Sequence, residues 1–112
     1  MSGYEPEPFS VAVQEADSRL HVSARGELDL ATAPQLEAVL LPPLRDGGSV
    51  VLDLRGLSFM DSTGVRVIVG AHLASEESGG HLTLLRCPPE GPVGRVIEIS
   101  GLDAVLDIVD AD

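Results

Sequence analysis

Two hydroxyl residues stand between an acid and a glycine near the middle of the chain, in the tetrapeptide Asp61-Ser62-Thr63-Gly64. The apolar run at residues 50–54 has the length of a strand, and from residue 65 onward the apolar residues follow a helical spacing. A helix that begins at the tetrapeptide directs the unpaired backbone N–H groups of its first turn outward. If the protein carries a chemical switch, we expect it at these hydroxyls.

The same tetrapeptide also has structural interpretations, which the sequence leaves open. Ser62 taken alone is most often a helix N-cap, whose hydroxyl accepts a hydrogen bond from a backbone N–H group. Asp61 fits that role equally well and would leave Ser62 free. Thr63 fits a helix-start hydroxyl better than a second modification site, and Gly64 is expected to permit the close approach of another chain.

A second acidic segment is expected beside the tetrapeptide. The sequence G-E-L-D at residues 26–29 interrupts an alternating strand pattern and leads into a helix. Because sites in parallel sheets collect at the carboxyl ends of the strands, the loop after this strand should meet the loop that holds the tetrapeptide. That places Asp29 on one edge with Asp61, Ser62 and Thr63. Asp29 taken alone is an acid that caps the following helix.

The elements that position these groups alternate in type along the chain. Alternating apolar and polar residues at 9–14 and 20–25 predict an antiparallel hairpin. Thr32 with Gln35 fits a capping box for the first helix, which Pro42-Pro43 should end or kink. The remaining predicted elements are a strand at 50–54, a connection at 55–60, a helix ending near Ser78, a strand at 82–85, a helix ending at Gly101 and an edge strand at 105–109.

The order ββαβαβαβ predicts one α/β domain, with a mixed, mostly parallel sheet and helices packed on it. We expect a leader at residues 1–8 and the domain at residues 9–112. The helix after the tetrapeptide has one apolar stripe, which consists of Val65, Ile68, Val69 and Leu73. In the connection before it, Phe59 is either a core residue or part of a docking face, and the same two interpretations apply to Met60.

The charge of the chain excludes several classes of partner. The net charge is −11, with seven basic residues against 18 acidic ones, and all seven are arginine. Nucleic-acid binding and attachment to an anionic membrane both need a basic surface, so neither is expected. A protein partner with a basic face should instead be steered toward this chain.

Other features predict a cytoplasmic protein. Cys87 is the single cysteine, which excludes an internal disulfide and suits a reducing compartment. No apolar run reaches the roughly 18–20 residues of a membrane-spanning helix. The first eight residues lack the basic-then-apolar pattern of an export signal.

Catalysis is not expected from the residue spacing. Ser62 does not lie in a G-x-S-x-G elbow. His72 lies ten residues further along the same predicted helix, too far away to act as its base. His21 and His81 show no triad or metal spacing, and no glycine-rich phosphate-binding motif occurs. We therefore predict a protein that is not an enzyme and has no metal or cofactor.

Taken together, these residues resemble a known family. G-E-L-D at 26–29, a capped helix, and V-V-L-D-L-R-G-L-S-F-M-D-S-T-G-V at 50–65 are similar to the STAS domain, above all in the bacterial anti-sigma factor antagonists. The resemblance covers about residues 9–109. Members of the family usually end in a further helix, whereas this sequence stops at Asp112, just past the last predicted strand.

The resemblance implies a regulatory switch. Unphosphorylated members bind an anti-sigma factor that is also a serine kinase, and so release a sigma factor; phosphorylation ends this binding, and a serine phosphatase restores it. On the family pattern the phosphoacceptor is Ser62, with Asp29 as the acidic position beside it. We expect the partner to contact Asp29 and the four residues Asp61, Ser62, Thr63 and Gly64. The alternative is a STAS scaffold subunit of a stressosome or of a lipid-transport ATPase, without a phospho-switch.

Overall fold

The chain, which the computed structural model describes from residue 7 to residue 111, forms a five-stranded sheet covered by three helices. The elements are β1 (Ser10–Ala16), β2 (Arg19–Leu28), α1 (Ala33–Arg45), β3 (Ser49–Met60), α2 (Ser62–Ser78), β4 (His81–Leu85), α3 (Pro92–Ser100), a 3₁₀ turn (Leu102–Ala104) and β5 (Asp107–Val109). The sheet order is β1-β2-β3-β4-β5, with β1 antiparallel to β2 and the other pairs parallel. The predicted order ββαβαβαβ and the mixed sheet are confirmed. The predicted leader lies outside the described residues except for Glu7 and Pro8.

The three helices lie on one face of the sheet because each parallel connection moves across it in the same direction. Right-handed crossovers from β2 to β3, β3 to β4 and β4 to β5 then place every connecting helix on the same side. The core forms there, where alternate strand residues such as Val50, Leu52 and Leu84 join the buried faces of the helices. β1 lies at the edge of this layer, so its apolar side chains are only partly covered and Val13 is exposed. Within residues 7–111 no helix has the length and apolar character needed to cross a membrane.

The strand that leads to the tetrapeptide is longer than predicted. β3 ends only at Met60, so residues 55–60, predicted as a connection, are strand, and Asp61 alone links β3 to α2. β2 likewise includes the G-E-L of the acidic segment and ends at Leu28. Two register shifts in the β2–β3 pairing change which side chains face the core, and this hides the strand alternation in the sequence. Gly26, at the second shift, has a φ of +95°, a conformation that favours glycine.

Helix α1 passes through Pro42 and Pro43, which the sequence predicts to end or kink it, and stops only at Arg45. Proline lacks a backbone N–H and disfavours helix interiors. Here, however, Leu44 is fully buried and its packing supports the last turn. The carbonyl of Pro43 still accepts a hydrogen bond, from the N–H of Gly48 at 2.9 Å. Of the two predicted outcomes, an end or a kink at the prolines, the end is wrong because core packing outweighs the local preference.

The buried side of α2 differs from the predicted stripe. Leu73 is 54% exposed, and small residues take its place because α2 packs closely on the sheet and on α1. At Gly64 a Cβ would lie 2.6 Å from Met60 Cγ and 2.9 Å from Leu28 Cδ2. Gly64 was expected to permit the close approach of another chain. That expectation is wrong, because the atoms packed against Gly64 belong to Met60 and Leu28 of the same chain. The buried residues of α2 are Gly64, Val67, Ile68, Ala71 and Ser75.

Gly64→Ala is expected to destabilise the fold by about 1–3 kcal/mol, because the added methyl group overpacks the contact with Met60 and Leu28. The matched control is Gly70→Ala in the same helix, where a Cβ meets no atom within 4 Å. Alanine there should stabilise the protein by about 0.5–1 kcal/mol. Urea unfolding followed by circular dichroism measures both free energies, and equal effects would contradict the packing assigned to Gly64.

Candidate functional site

The two acidic segments meet at the edge where β2 and β3 end. Leu28, the last residue of β2, pairs with Met60, the last residue of β3. The N–H of Asp61 then donates a hydrogen bond to the Leu28 carbonyl at 3.2 Å. Asp29 and Asp61 therefore follow directly on neighbouring strands, and the structure brings them to one edge with Ser62.

Asp61 is the N-cap of α2, which decides between the capping alternatives left open by the sequence. Its backbone is extended, and its Oδ1 accepts a hydrogen bond from the Thr63 N–H at 2.9 Å. The Thr63 hydroxyl donates to the same carboxylate. These hydrogen bonds, above all the one from the hydroxyl, lower the pKa of Asp61 below its ordinary value. Asp61 is thus a carboxylate at neutral pH, and Thr63 is engaged as a helix-start hydroxyl.

Ser62 is the first residue of α2, and its side chain is exposed. The capping role that a serine often fills at such a position belongs to Asp61. Among the described residues, the helix start therefore does not depend on the Ser62 hydroxyl. A second molecule can reach this hydroxyl without opening the helix.

Asp29 shapes the start of α1 from the neighbouring strand. Its Oδ1 accepts hydrogen bonds from the N–H groups of Ala31 (3.0 Å) and Thr32 (3.1 Å). The Thr32 hydroxyl donates to the Glu27 carbonyl at 2.8 Å and does not cap α1, so the predicted capping box with Gln35 is wrong. A short carboxylate in a tight turn can accept hydrogen bonds from two N–H groups at once, so the Asp29 side chain, and not that of Thr32, stabilises the turn before α1.

Exposed apolar side chains flank the two acids. Leu30, next to Asp29, is 77% exposed, and Phe59, one residue before the end of β3, is 45% exposed. Met60 is only 2% exposed, so the structure assigns Met60 to the core and Phe59 to the surface. Adjacent residues of a strand face opposite sides of the sheet, so the alternation would separate Phe59 from Met60. The sequence prediction could not use it, because residues 55–60 were not recognised as strand. Leu30 has no comparable signal in the sequence, and sequence reasoning missed it.

The site offers charge and an accessible hydroxyl. In the described part of the chain no three histidine, cysteine, aspartate or glutamate side chains are grouped closely enough to hold a metal ion. The Asp29 carboxylate accepts hydrogen bonds from N–H groups of the turn before α1, and the Asp61 carboxylate accepts one from the first turn of α2. The arrangement thus places two carboxylates and an exposed hydroxyl at one edge of the sheet.

Comparison with known proteins connects this arrangement to a family. A family model described as "Mlab, STAS domain" matches residues 11–110. The anti-sigma-B factor antagonist of Staphylococcus aureus is 36% identical over 101 residues, which cover 89% of this chain and 92% of that protein. The family resemblance noted in the sequence is therefore confirmed.

Solved structures of anti-sigma factor antagonists have the same fold. The protein from Mycobacterium paratuberculosis superposes with a TM-score of 0.81 at 25% identity, covering 93% of this chain and 87% of that one. The antagonist SpoIIAA in its unphosphorylated form gives a TM-score of 0.74 at 26% identity, with 92% and 89% covered. The Bacillus cell fate determinant SpoIIAA in the phosphorylated form gives 0.69 at 26% identity, with 94% and 92% covered.

The capping role of Asp61 predicts a pH-dependent contribution to stability. Asp61→Asn keeps a capping side chain without its charge and Asp61→Ala removes the cap, so the free energy of unfolding at pH 7 should fall from wild type to Asn to Ala. Because the folded-state pKa of Asp61 is lowered, the advantage of wild type over Asn is present above the ordinary value of 3.8. It is lost as the pH falls through the folded-state value. Urea titrations at pH 7 and at about pH 3 test this, and a difference that does not change with pH would contradict it.

Proposed function

The chain belongs to the STAS domain family, and from this premise we propose that it is an anti-sigma factor antagonist controlled by phosphorylation of Ser62. In its unphosphorylated form it binds an anti-sigma factor that is also a serine kinase, and so releases a sigma factor for transcription. Phosphorylation ends this binding, and a serine phosphatase restores it. The name of the Staphylococcus aureus relative, an anti-sigma-B factor antagonist, supports the proposal.

The observation that carries the proposal is the exposed hydroxyl of Ser62 at the start of α2. Since Asp61 provides the cap, the hydroxyl can accept a phosphoryl group while the first turn of the helix stays closed. The similarity of this chain to SpoIIAA in both its unphosphorylated and phosphorylated forms supports the same conclusion.

A phosphate on Ser62 is compatible with the fold. It adds about −1.5 to −2 charge at the N-terminal end of α2, where the helix dipole favours an anion by about 0.3–1 kcal/mol. The carboxylate of Asp61 repels this charge, but water and salt screen the repulsion because Ser62 is exposed. The free energy of unfolding should therefore change little on phosphorylation.

The same phosphate opposes docking of the partner. In a complex the phosphate, Asp61 and Asp29 lose water together, and a buried unpaired charge disfavours binding by about 3–5 kcal/mol. At about 1.4 kcal/mol per decade, the affinity falls by about two to three and a half decades. Leu30 and Phe59 supply the apolar part of the contact, and the net charge of −11 favours a basic face on the kinase.

The alternative function, a scaffold subunit of a stressosome or of a lipid-transport ATPase, would not require an exposed hydroxyl at this site. A scaffold without a phospho-switch has no need of a free hydroxyl, because a serine N-cap would start α2 equally well. The use of Asp61 as the cap, with Ser62 left exposed, favours the switch. In the scaffold case, binding to the assembly would not depend on the modification of Ser62.

Incubation with the cognate anti-sigma factor kinase and ATP should add one phosphate, at Ser62. Ser62→Ala should bind the kinase constitutively, since it cannot be modified. Ser62→Asp should bind about 100-fold more weakly while remaining folded, because it places a charge in the interface. Mass spectrometry of a digest locates the phosphate, and isothermal titration calorimetry measures the Kd of each variant.

Thr63→Ala is the matched control for the phosphorylation experiment. Its hydroxyl is already engaged by Asp61, so the variant should still accept one phosphate at Ser62. Label found at another residue, no label at all, or wild-type affinity of Ser62→Asp would reject the mechanism.

A further inference from the structure

Two neighbouring hydroxyls at the start of α2 have different surroundings. Ser62 is exposed, whereas Thr63 is half-buried. The Thr63 N–H donates a hydrogen bond to Asp61 Oδ1 at 2.9 Å, and the Thr63 hydroxyl donates to the same oxygen. Among the described residues, the Asp61 carboxylate forms no such bond with the side chain of Ser62. Asp61 therefore distinguishes between the two hydroxyls that follow it.

Phosphoryl transfer requires a hydroxyl that can release its proton. The hydroxyl oxygen attacks the γ-phosphorus of ATP, the bond from that phosphorus to the bridging oxygen breaks, and ADP leaves. The hydroxyl proton passes to a base of the kinase. At Thr63 this proton is donated to Asp61, so the kinase base would have to displace the carboxylate. The exposed hydroxyl of Ser62 presents no such obstacle.

The Asp61 carboxylate is itself a poor base for the Thr63 proton. Its hydrogen bonds with Thr63, above all the one from the hydroxyl, hold the pKa of Asp61 below its ordinary value. A carboxylate with a lowered pKa accepts a proton less readily. The hydrogen bond therefore restrains the Thr63 hydroxyl and does not activate it.

The two phosphorylated products differ in the same direction. A phosphate on Thr63 has no hydroxyl proton to donate to Asp61, and it places about −1.5 to −2 charge against the carboxylate. This repulsion opposes the hydrogen bond from the Thr63 N–H that caps α2. A phosphate on Ser62 leaves both hydrogen bonds between Asp61 and Thr63 in place. The first turn of α2 thus tolerates a phosphate at Ser62 and opposes one at Thr63.

We propose that Asp61 determines which of the two hydroxyls the kinase phosphorylates. Its carboxylate holds the Thr63 hydroxyl in the cap of α2 and leaves Ser62 as the single acceptor. Asp61 is then a specificity-determining residue, since it acts through Thr63 and takes no part in the transfer itself. This assignment rests on the proposed function and deepens it, because it accounts for a single phosphate on a pair of adjacent hydroxyls.

The first test locates the phosphate. Wild type, Asp61→Ala and Asp61→Asn are incubated with the kinase and ATP, and mass spectrometry of a digest gives the ratio of phosphate on Thr63 to phosphate on Ser62. The ratio should rise about tenfold or more in Asp61→Ala, because the Thr63 hydroxyl is released. It should rise less in Asp61→Asn, whose amide oxygen still accepts a hydrogen bond.

The matched control for the lost acid is Asp103→Ala, at an exposed aspartate of the 3₁₀ turn. Its ratio should stay within about twofold of the wild-type value. Circular dichroism checks that each variant is folded. If Asp61→Ala does not fold, Asp61→Asn provides the comparison with wild type.

The urea midpoint of unfolding gives a second readout, which does not need the kinase. Thr63→Val removes the hydroxyl with little change of shape, and Thr63→Asp also puts a negative charge against Asp61. Both should lower the midpoint, Thr63→Asp by the larger amount, and the additional loss should shrink when Asp61→Asn is combined with it. Ser62→Asp is the matched control and should keep the wild-type midpoint. Equal midpoints for Thr63→Asp and Thr63→Val would contradict the role of Asp61.

The phosphorylation results separate this assignment from the proposed function. Phosphate on Ser62 of wild type, with an unchanged ratio in Asp61→Ala, would overturn the role of Asp61 and leave the proposed function intact. Equal phosphorylation of Thr63 and Ser62 in wild type would do the same. A folded Asp61→Ala chain that accepts no phosphate would also overturn the role, since the kinase itself would then require Asp61. A wild-type chain that accepts no phosphate would overturn the proposed function and this assignment with it.

Discussion

The parallel pairing of β2 with β3 is the interaction on which the rest of the structure depends. It continues through two register shifts to Leu28 and Met60, and the hydrogen bond from the Asp61 N–H to the Leu28 carbonyl completes it. Because both strands end at this point, the acidic segment at 26–29 and the start of α2 share one edge of the sheet. The same pairing determines where α2 begins, and therefore that Ser62 is its first residue and is exposed.

At this edge, the groups that stabilise the fold differ from the group that is exposed to solvent. Asp29 accepts hydrogen bonds from N–H groups of the turn before α1, and Asp61 accepts one from the first turn of α2, which fixes both carboxylates at this edge. The serine hydroxyl is left outside this network. A change of charge at Ser62 would therefore act at the exposed edge of the sheet and not in the core. A local electrostatic change of this kind can control a protein contact without a change of fold.

Errors in the sequence prediction share a physical cause, which is that a tertiary contact outweighed a local preference. The two prolines were predicted to end or kink α1, but the burial of Leu44 carries the helix on to Arg45. Residues 55–60 lack a simple alternation because the register shifts with β2 change which side chains face the core. Leu73 was predicted on the buried stripe, yet it is exposed, and the side of α2 that packs closely at Gly64 consists of Gly64, Val67, Ile68, Ala71 and Ser75.

The sequence by itself determined the order of the elements, the mixed sheet, the family, and the position of Asp61-Ser62-Thr63-Gly64 at the start of a helix. These properties follow from local spacing and from short motifs, which a single chain displays in full. The tertiary structure alone decided that Asp61 and not Ser62 caps α2, that Phe59 is exposed while Met60 is buried, and that Leu73 faces outward. Burial and hydrogen-bond partners depend on the register between strands and on the separation of packed helices. Those distances arise only when distant segments of the chain come into contact.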